Sequence, residues 1–157
     1  MQEYSIPNSF LQEVYFLSQQ SNDFHNLEEI MIRGMEKGIK RDYQGAIADF
    51  TQVIRLNAYN AEAYYNRGIA YIKVYNYSQA IADFNYALSL ENELAEVYFE
   101  RAKVYLVLNN QSEAIKDLKI AAKLFKKQVN YFLYQETKKI LRQIQHLPTI
   151  KNYKKYS

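Results

Sequence analysis

The heptapeptide QGAIADF at 44–50 returns as SQAIADF at 78–84 and, more loosely, as SEAIKDL at 112–118. Ala46, Ala80 and Ala114 stand 34 residues apart, and the same period carries Arg33, Arg67 and Arg101; Ile47, Ile81 and Ile115; Asp49, Asp83 and Asp117; and Leu56, Leu90 and Leu124. AEAYYNRG at 61–68 likewise matches AEVYFERA at 95–102. No gap interrupts the frame. Self-similarity at a fixed period of this size marks stacked units, each too small to bury its apolar face alone.

Within a unit the apolar spacing is helical. Tyr64, Gly68 and Tyr71 fall at i, i+4, i+7 on one face, and Ala80, Phe84, Ala87 and Leu88 draw a second stripe. Between the stripes lie Asn76-Tyr77-Ser78-Gln79 in one copy and Asn110-Gln111-Ser112-Glu113 in the next, with Asp42 at the matching place in the first. An Asn with Gln or Glu three residues later signals a helix start, because each side chain can serve a free backbone donor of the other's turn. Each unit is therefore expected to be two helices joined by a short turn, with Gly68, Ala102, Ala80 and Ala114 allowing close approach.

This pattern resembles the tetratricopeptide repeat (TPR) family, in a bacterial-type tandem arrangement. The residues that carry the resemblance are Tyr64, Gly68, Tyr71, Ala80, Phe84 and Ala87 in the second unit. Tyr98, Ala102, Tyr105, Ala114, Leu118 and Ala121 carry it in the third. The first unit departs in its leading helix, with Ile30, Gly34 and Lys37, then becomes regular at Tyr43, Ala46, Phe50 and Val53. The resemblance spans 27–128 and implies an all-α, right-handed superhelix of antiparallel helix pairs. Units are expected at 27–60, 61–94 and 95–128, followed by a capping helix within 129–147 and a basic tail at 148–157. Residues 1–26 read as an amphipathic helix, with Phe10, Leu11, Val14, Tyr15 and Leu17 after Asn8-Ser9, and a linker at 20–26. Two family features are missing. Ala58, Asn92 and Lys126 replace the proline near the unit end, and Arg41, Tyr75 and Asn109 occupy the inter-helix turn where Gly is common. A left-handed residue other than Gly costs on the order of 1 kcal/mol.

The capping helix is legible as NYFLYQETKKILRQIQHL at 130–147. Leu133, Thr137, Ile140, Leu141, Ile144 and Leu147 form one stripe, Lys138, Lys139, Arg142 and Gln145 the opposite one, and Pro148 stops it. An array needs such an end to shield its last apolar face.

Composition agrees with this architecture. The chain has 157 residues, 48% hydrophobic and 24% charged, with only 4 Gly and 2 Pro, too few for the many tight turns of a β-sandwich. With no Cys there is no disulfide framework, thiolate metal site or cysteine nucleophile, and two histidines, His25 and His146, leave little for a metal. No cofactor motif is present, and no cofactor or metal is expected. MQEYSIPNSF has no basic-then-apolar leader and no stretch reaches 18 apolar residues, so a cytoplasmic protein is expected. Net charge is +3, but it divides into −6 over 1–115 and +9 over 116–157.

TPR leading helices line a concave groove, and the stripes facing it can be read off. They are Glu28, Met31, Ile32, Met35, Gly38 and Ile39 in the first unit, Glu62, Tyr65, Asn66, Ile69, Ile72 and Lys73 in the second, and Glu96, Phe99, Glu100, Lys103, Leu106 and Val107 in the third. Each leading helix is thus apolar on two faces, which three helices cannot both bury against one another, and surplus apolar surface marks a binding site. The expected contact residues are Met31, Met35, Tyr65, Asn66, Ile69, Phe99, Lys103 and Leu106, with Tyr65 and Phe99 as anchors and Glu62, Glu96 and Glu100 setting charge preference. The family's two-carboxylate clamp for acidic tails is not implied. Its positions here carry Met31, Met35, Asn66, Glu96 and Glu100, of which only Asn66 fits.

Three other readings compete. The N-terminal helix, or a second copy of the chain as a homodimer, could cover the groove. The Arg–Asp pairs 16 apart could suggest acid–base chemistry, but a structural ladder repeated with the scaffold explains them better, so no enzyme is expected. Lys116, Lys119, Lys123 and Lys126 follow i, i+3, i+7, i+10 and, with Lys151, Lys154 and Lys155, could hold RNA or an anionic membrane surface. A solvated outer face is the plainer account of that stripe. The function expected first is a protein–protein interaction scaffold that takes a peptide or amphipathic helix in its groove.

Overall fold

A computed structural model of the protein describes residues 26–146 and, alone before them, residue 12. The expected helix at 8–17, its linker, Leu147, Pro148 and the basic tail lie outside the described residues. Over residues 26–146 seven helices follow one another: α1 over 26–39, α2 (Tyr43–Leu56), α3 (Ala61–Lys73), α4 (Tyr77–Leu90), α5 (Ala95–Val107), α6 (Gln111–Lys127) and α7 (Tyr131–His146). Among the described residues there is no strand. The architecture is the expected all-α superhelix of helix pairs, α1–α2, α3–α4 and α5–α6, closed by α7.

The turns inside the pairs share one device. Arg41, Tyr75 and Asn109 have φ of 64°, 61° and 57°, the left-handed conformation expected there. The N–H of the next residue reaches back across the turn: Asp42 to the Lys37 carbonyl at 2.9 Å, Asn76 to Tyr71 at 2.9 Å, Asn110 to Tyr105 at 2.8 Å. These Schellman bonds close one helix, and the same three residues cap the next by accepting from Gly45, Gln79 and Glu113 N–H. The expected reciprocal bond from Gln79 or Glu113 to the cap N–H is therefore superseded, because that N–H is already spent on the preceding helix.

Close approach within a pair depends on what faces Phe50 and Phe84. A Cβ on Gly34 would lie 2.7 Å from the Phe50 ring, and one on Gly68 would lie 2.6 Å from the Phe84 ring. In the third pair Ala102 meets Leu118 instead, both fully buried. A smaller residue on one helix is matched by a larger one on its partner.

The Arg–Asp pairs form the expected ladder. Arg67 Nε and Nη2 donate to the two Asp83 oxygens at 2.8 and 2.7 Å, Arg101 does the same to Asp117 at 2.7 and 2.7 Å, and Arg33 to Asp49 at 3.0 and 2.7 Å. The third guanidinium nitrogen reaches the preceding pair: Arg67 Nη1 donates to Thr51 Oγ1 at 3.1 Å and Arg101 Nη1 to Asn85 Oδ1 at 2.6 Å. The ladder thus joins neighbouring units as well as the helices of one unit. Tyr64 and Tyr71 flank Arg67 at 5.6 and 5.9 Å, and Tyr98 and Tyr105 flank Arg101 at 5.5 and 6.0 Å. In the irregular first unit Lys37 takes the place of the second Tyr, and its ammonium joins Asp49 directly at 2.8 Å.

The period breaks after Leu124. Helix α6 has 17 residues where α2 and α4 have 14, and it ends in a left-handed Val129 at φ 61°. Asn130 then bonds back to Phe125 at 2.9 Å and accepts from Leu133 N–H at 3.2 Å, opening α7. Thr137, Leu141 and Ile144 are buried on α7, Leu133 and Ile140 are half-buried, and Lys138, Lys139 and Arg142 face solvent. Buried Thr137 satisfies its hydroxyl by donating to the Leu133 carbonyl at 2.7 Å.

Candidate partner-binding groove

Helices α1, α3 and α5 are the leading members of their pairs, and two clefts run beside α3. The one between α3 and α5 has a volume of about 420 Å³ and is lined by Tyr65, Asn66, Ile69 and Lys73 from α3 and by Glu100 and Lys103 from α5. The one between α1 and α3, about 310 Å³, is lined by Met35, Gly38 and Ile39 on one side and by Asn66, Ile69 and Lys73 on the other. Asn66, Ile69 and Lys73 lie at i, i+3, i+7 on α3 and belong to both clefts, so the hollows meet along one helix. Between them the Asn66 side-chain N–H₂ is buried and has no acceptor among the described residues. A buried amide donor left unpaired costs roughly 1–3 kcal/mol, which a ligand acceptor would recover.

Charge along the groove follows helix direction. Glu62 and Glu96 stand in the first turns of α3 and α5, Glu28 lies near the start of α1, and all three are exposed, forming an acidic edge. Lys73 stands in the last turn of α3 at the other edge and forms no ion pair among the described residues. Lys103 is held by Glu100 at 2.8 Å, its ammonium 5.4 Å over the Phe99 ring. Burial pushes the Tyr65 hydroxyl up to about 12, and the Glu100 and Glu96 carboxylates add to the effect.

The expected contact residues divide on this geometry. Tyr65, Asn66, Ile69, Glu100 and Lys103 line the cleft between α3 and α5. Met35 lines the cleft between α1 and α3, and Met31, Met35 and Glu62 border a shallower hollow of about 520 Å³ on α1. Met31 itself is only 8% exposed and packs with Ile30, Phe50 and Val53 in the first core cluster. Glu96, Phe99 and Leu106 line none of these hollows. Phe99 meets Phe125 edge-on at 6.1 Å, and Phe99 and Leu106 pack on the cluster that contains Leu141 and Ile144 of α7. The capping helix draws the third leading helix's second apolar stripe into the core. Lys73, Gly38, Ile39 and Val107 also line the clefts; the sequence places all four on the groove-facing stripes, with Ile39, Lys73 and Val107 in one register, but not among the expected contacts.

The basic stripe is elsewhere. Lys116 is paired with Glu113 at 2.6 Å and Lys127 with Glu93 at 2.7 Å. Lys119 and Lys123 border a hollow on α6 together with Ile120 and Leu124, Lys126 is exposed, and none of these residues lines the clefts beside α3.

A helical-repeat array with a groove across its leading helices is the class that fold and site define. Residues 40–74 match the TPR repeat profile and 61–94 the tetratricopeptide repeat profile. Residues 40–94 of the chain carry tandem TPR repeats. No curated protein matches it. Among solved structures it is similar to PcrH in complex with the chaperone binding region of PopD. That similarity has 19% identity and a TM-score of 0.74, covering 77% of this chain and 92% of that one. It is also similar to the Yersinia enterocolitica type III secretion translocator chaperone SycD, in complex with a peptide of the translocator YopD. Here identity is 20% and the TM-score 0.71, covering 77% and 93%. The TPR2B domain of yeast Sti1, in its complex with pHsp70, matches at 23% identity and a TM-score of 0.73, covering 78% and 98%. Among the described residues no helix is long and apolar enough to cross a membrane.

Proposed function

We propose that this protein is an interaction scaffold that holds a peptide-like segment of another protein across α1, α3 and α5, in the cytoplasm. The observation that carries this reading is the pair of clefts joined at Asn66, Ile69 and Lys73, with an unpaired amide donor between them. Apolar side chains of the ligand fill the clefts, a backbone carbonyl accepts from Asn66, and an acidic group meets Lys73. The similar folds of PcrH and SycD are each seen with a segment of another protein, and that of Sti1 in a complex with pHsp70, which supports the same use of the scaffold here.

The test is selection of a displayed 12-residue peptide library on the full chain, followed by affinity measurement on wild type, Ile69→Arg and Lys119→Glu/Lys123→Glu. Selected peptides are expected to carry apolar anchors and to lose about 10–100-fold in affinity on Ile69→Arg, the range of a central contact. Equal binding by Ile69→Arg, with loss on the lysine variant, contradicts the groove and points to α6.

A further inference from the structure

The repeat frame marks one difference at the cleft between α1 and α3. Gly38 of the first unit stands where the second has Ile72 and the third Leu106. Ile72 and Leu106 are half-buried and pack on the core clusters of their own units, whereas a Cβ on Gly38 would meet nothing within 4 Å. The first unit therefore omits one large apolar side chain, and the cleft of about 310 Å³ lies where it would be. Around it Met35 is 39% and Ile39 83% exposed, apolar surface that the array itself leaves bare. At the same end of α1 and α3 stand Lys37, paired with Asp49, Lys40, 3.8 Å from Glu36, and Arg41 and Lys73, which form no ion pair among the described residues.

We infer that this cleft is the seat of the chain's own N-terminal segment, residues 8–17, which covers the first-unit end of the groove and competes with the foreign ligand there. The inference rests on the groove being the binding surface. Three observations select this occupant. The segment holds Phe10, Leu11, Val14, Tyr15 and Leu17, large apolar side chains of the kind that Gly38 omits. Residues 1–25 carry Glu3, Glu13 and Asp23 and no Lys or Arg, opposite in sign to the basic rim. The reach is sufficient, because residues 18–25 can span up to about 27 Å, while residue 38 lies about 18 Å along α1 from residue 26.

Backbone hydrogen exchange on the full chain tests this, in wild type, Gly38→Leu and Gly38→Ala, each at two protein concentrations tenfold apart. Expected are amides at 9–17 protected at least tenfold over free-chain rates in wild type, equally at both concentrations. That protection falls on Gly38→Leu, and less on Gly38→Ala, while protection of α3 to α6 is kept. Free-chain exchange at 9–17 in wild type overturns the inference, and so does protection unchanged in Gly38→Leu. Protection that appears only at the higher concentration also overturns it, because the occupant is then a second copy. Failure here leaves the groove reading intact, since peptide capture depending on Ile69 is measured separately.

Discussion

Gly68 and Phe84 show how a single position sets the spacing of a helix pair. Gly68→Ala forces its new methyl against the Phe84 ring and is expected to cost about 1–3 kcal/mol. Gly68→Ala with Phe84→Leu recreates the Ala102–Leu118 contact and is expected to recover most of that loss, as urea unfolding of the double-mutant cycle will show. Simple additivity would mean that the two side chains do not define the spacing. Val129 is the costliest of the four left-handed residues, because a β-branched side chain is the least suited to positive φ. Val129→Gly is therefore expected to gain about 1 kcal/mol and Asn109→Gly much less, read from their melting curves. Tyr65 makes a pH prediction. Its hydroxyl titrates near 12 in the folded chain and near 10 when unfolded, so above pH 10 the unfolded chain releases the proton first. Its contribution to stability is intact below pH 10 and lost as pH climbs to 12, a loss that Tyr65→Phe is expected to abolish in urea midpoints taken from pH 8 to 12. The left-handed turns were legible because Arg41, Tyr75 and Asn109 occupy the place where the TPR family, which the sequence resembles, commonly has Gly. Val129 was not, since it lies where the period ends.

Among the elements, the Arg–Asp ladder repeats, but its rungs are not equal. Asp83 and Asp117 are 4% exposed, and each is met by a single cation among the described residues, whereas Asp49 keeps Lys37 beside Arg33. Arg67→Ala and Arg101→Ala each strand a buried carboxylate and are expected to cost about 3 kcal/mol. Arg33→Ala, at a half-exposed side chain backed by Lys37, is expected to cost clearly less. Equal losses at the three positions, measured by urea unfolding, would contradict the reading of Lys37 as the first unit's substitute. Helix identity and pairing were legible because apolar spacing and caps repeat together. The role of Phe99 was not, because the stripe alone does not say which of two apolar faces α7 will cover. That outcome depends on the longer α6 and the turn at Val129, which direct α7 onto Phe99 and Leu106.

At the scale of the molecule, exposed Met35, Ile39 and Val107 of the leading helices border the two clefts beside α3. The sequence showed that such a face exists and which residues of α3 stand on it. Its depth was hidden, because the clefts arise from what is absent at Gly38 and from the separation of α3 and α5, neither of which is a motif. The groove's position away from the lysines of α6 also separates the two binding readings in space. The most direct measurement is a backbone amide shift titration of the full chain with a peptide selected from the displayed library. The account predicts that the largest shifts fall at 34–39, 65–73 and 100–107. Shifts confined to 116–127 would contradict it.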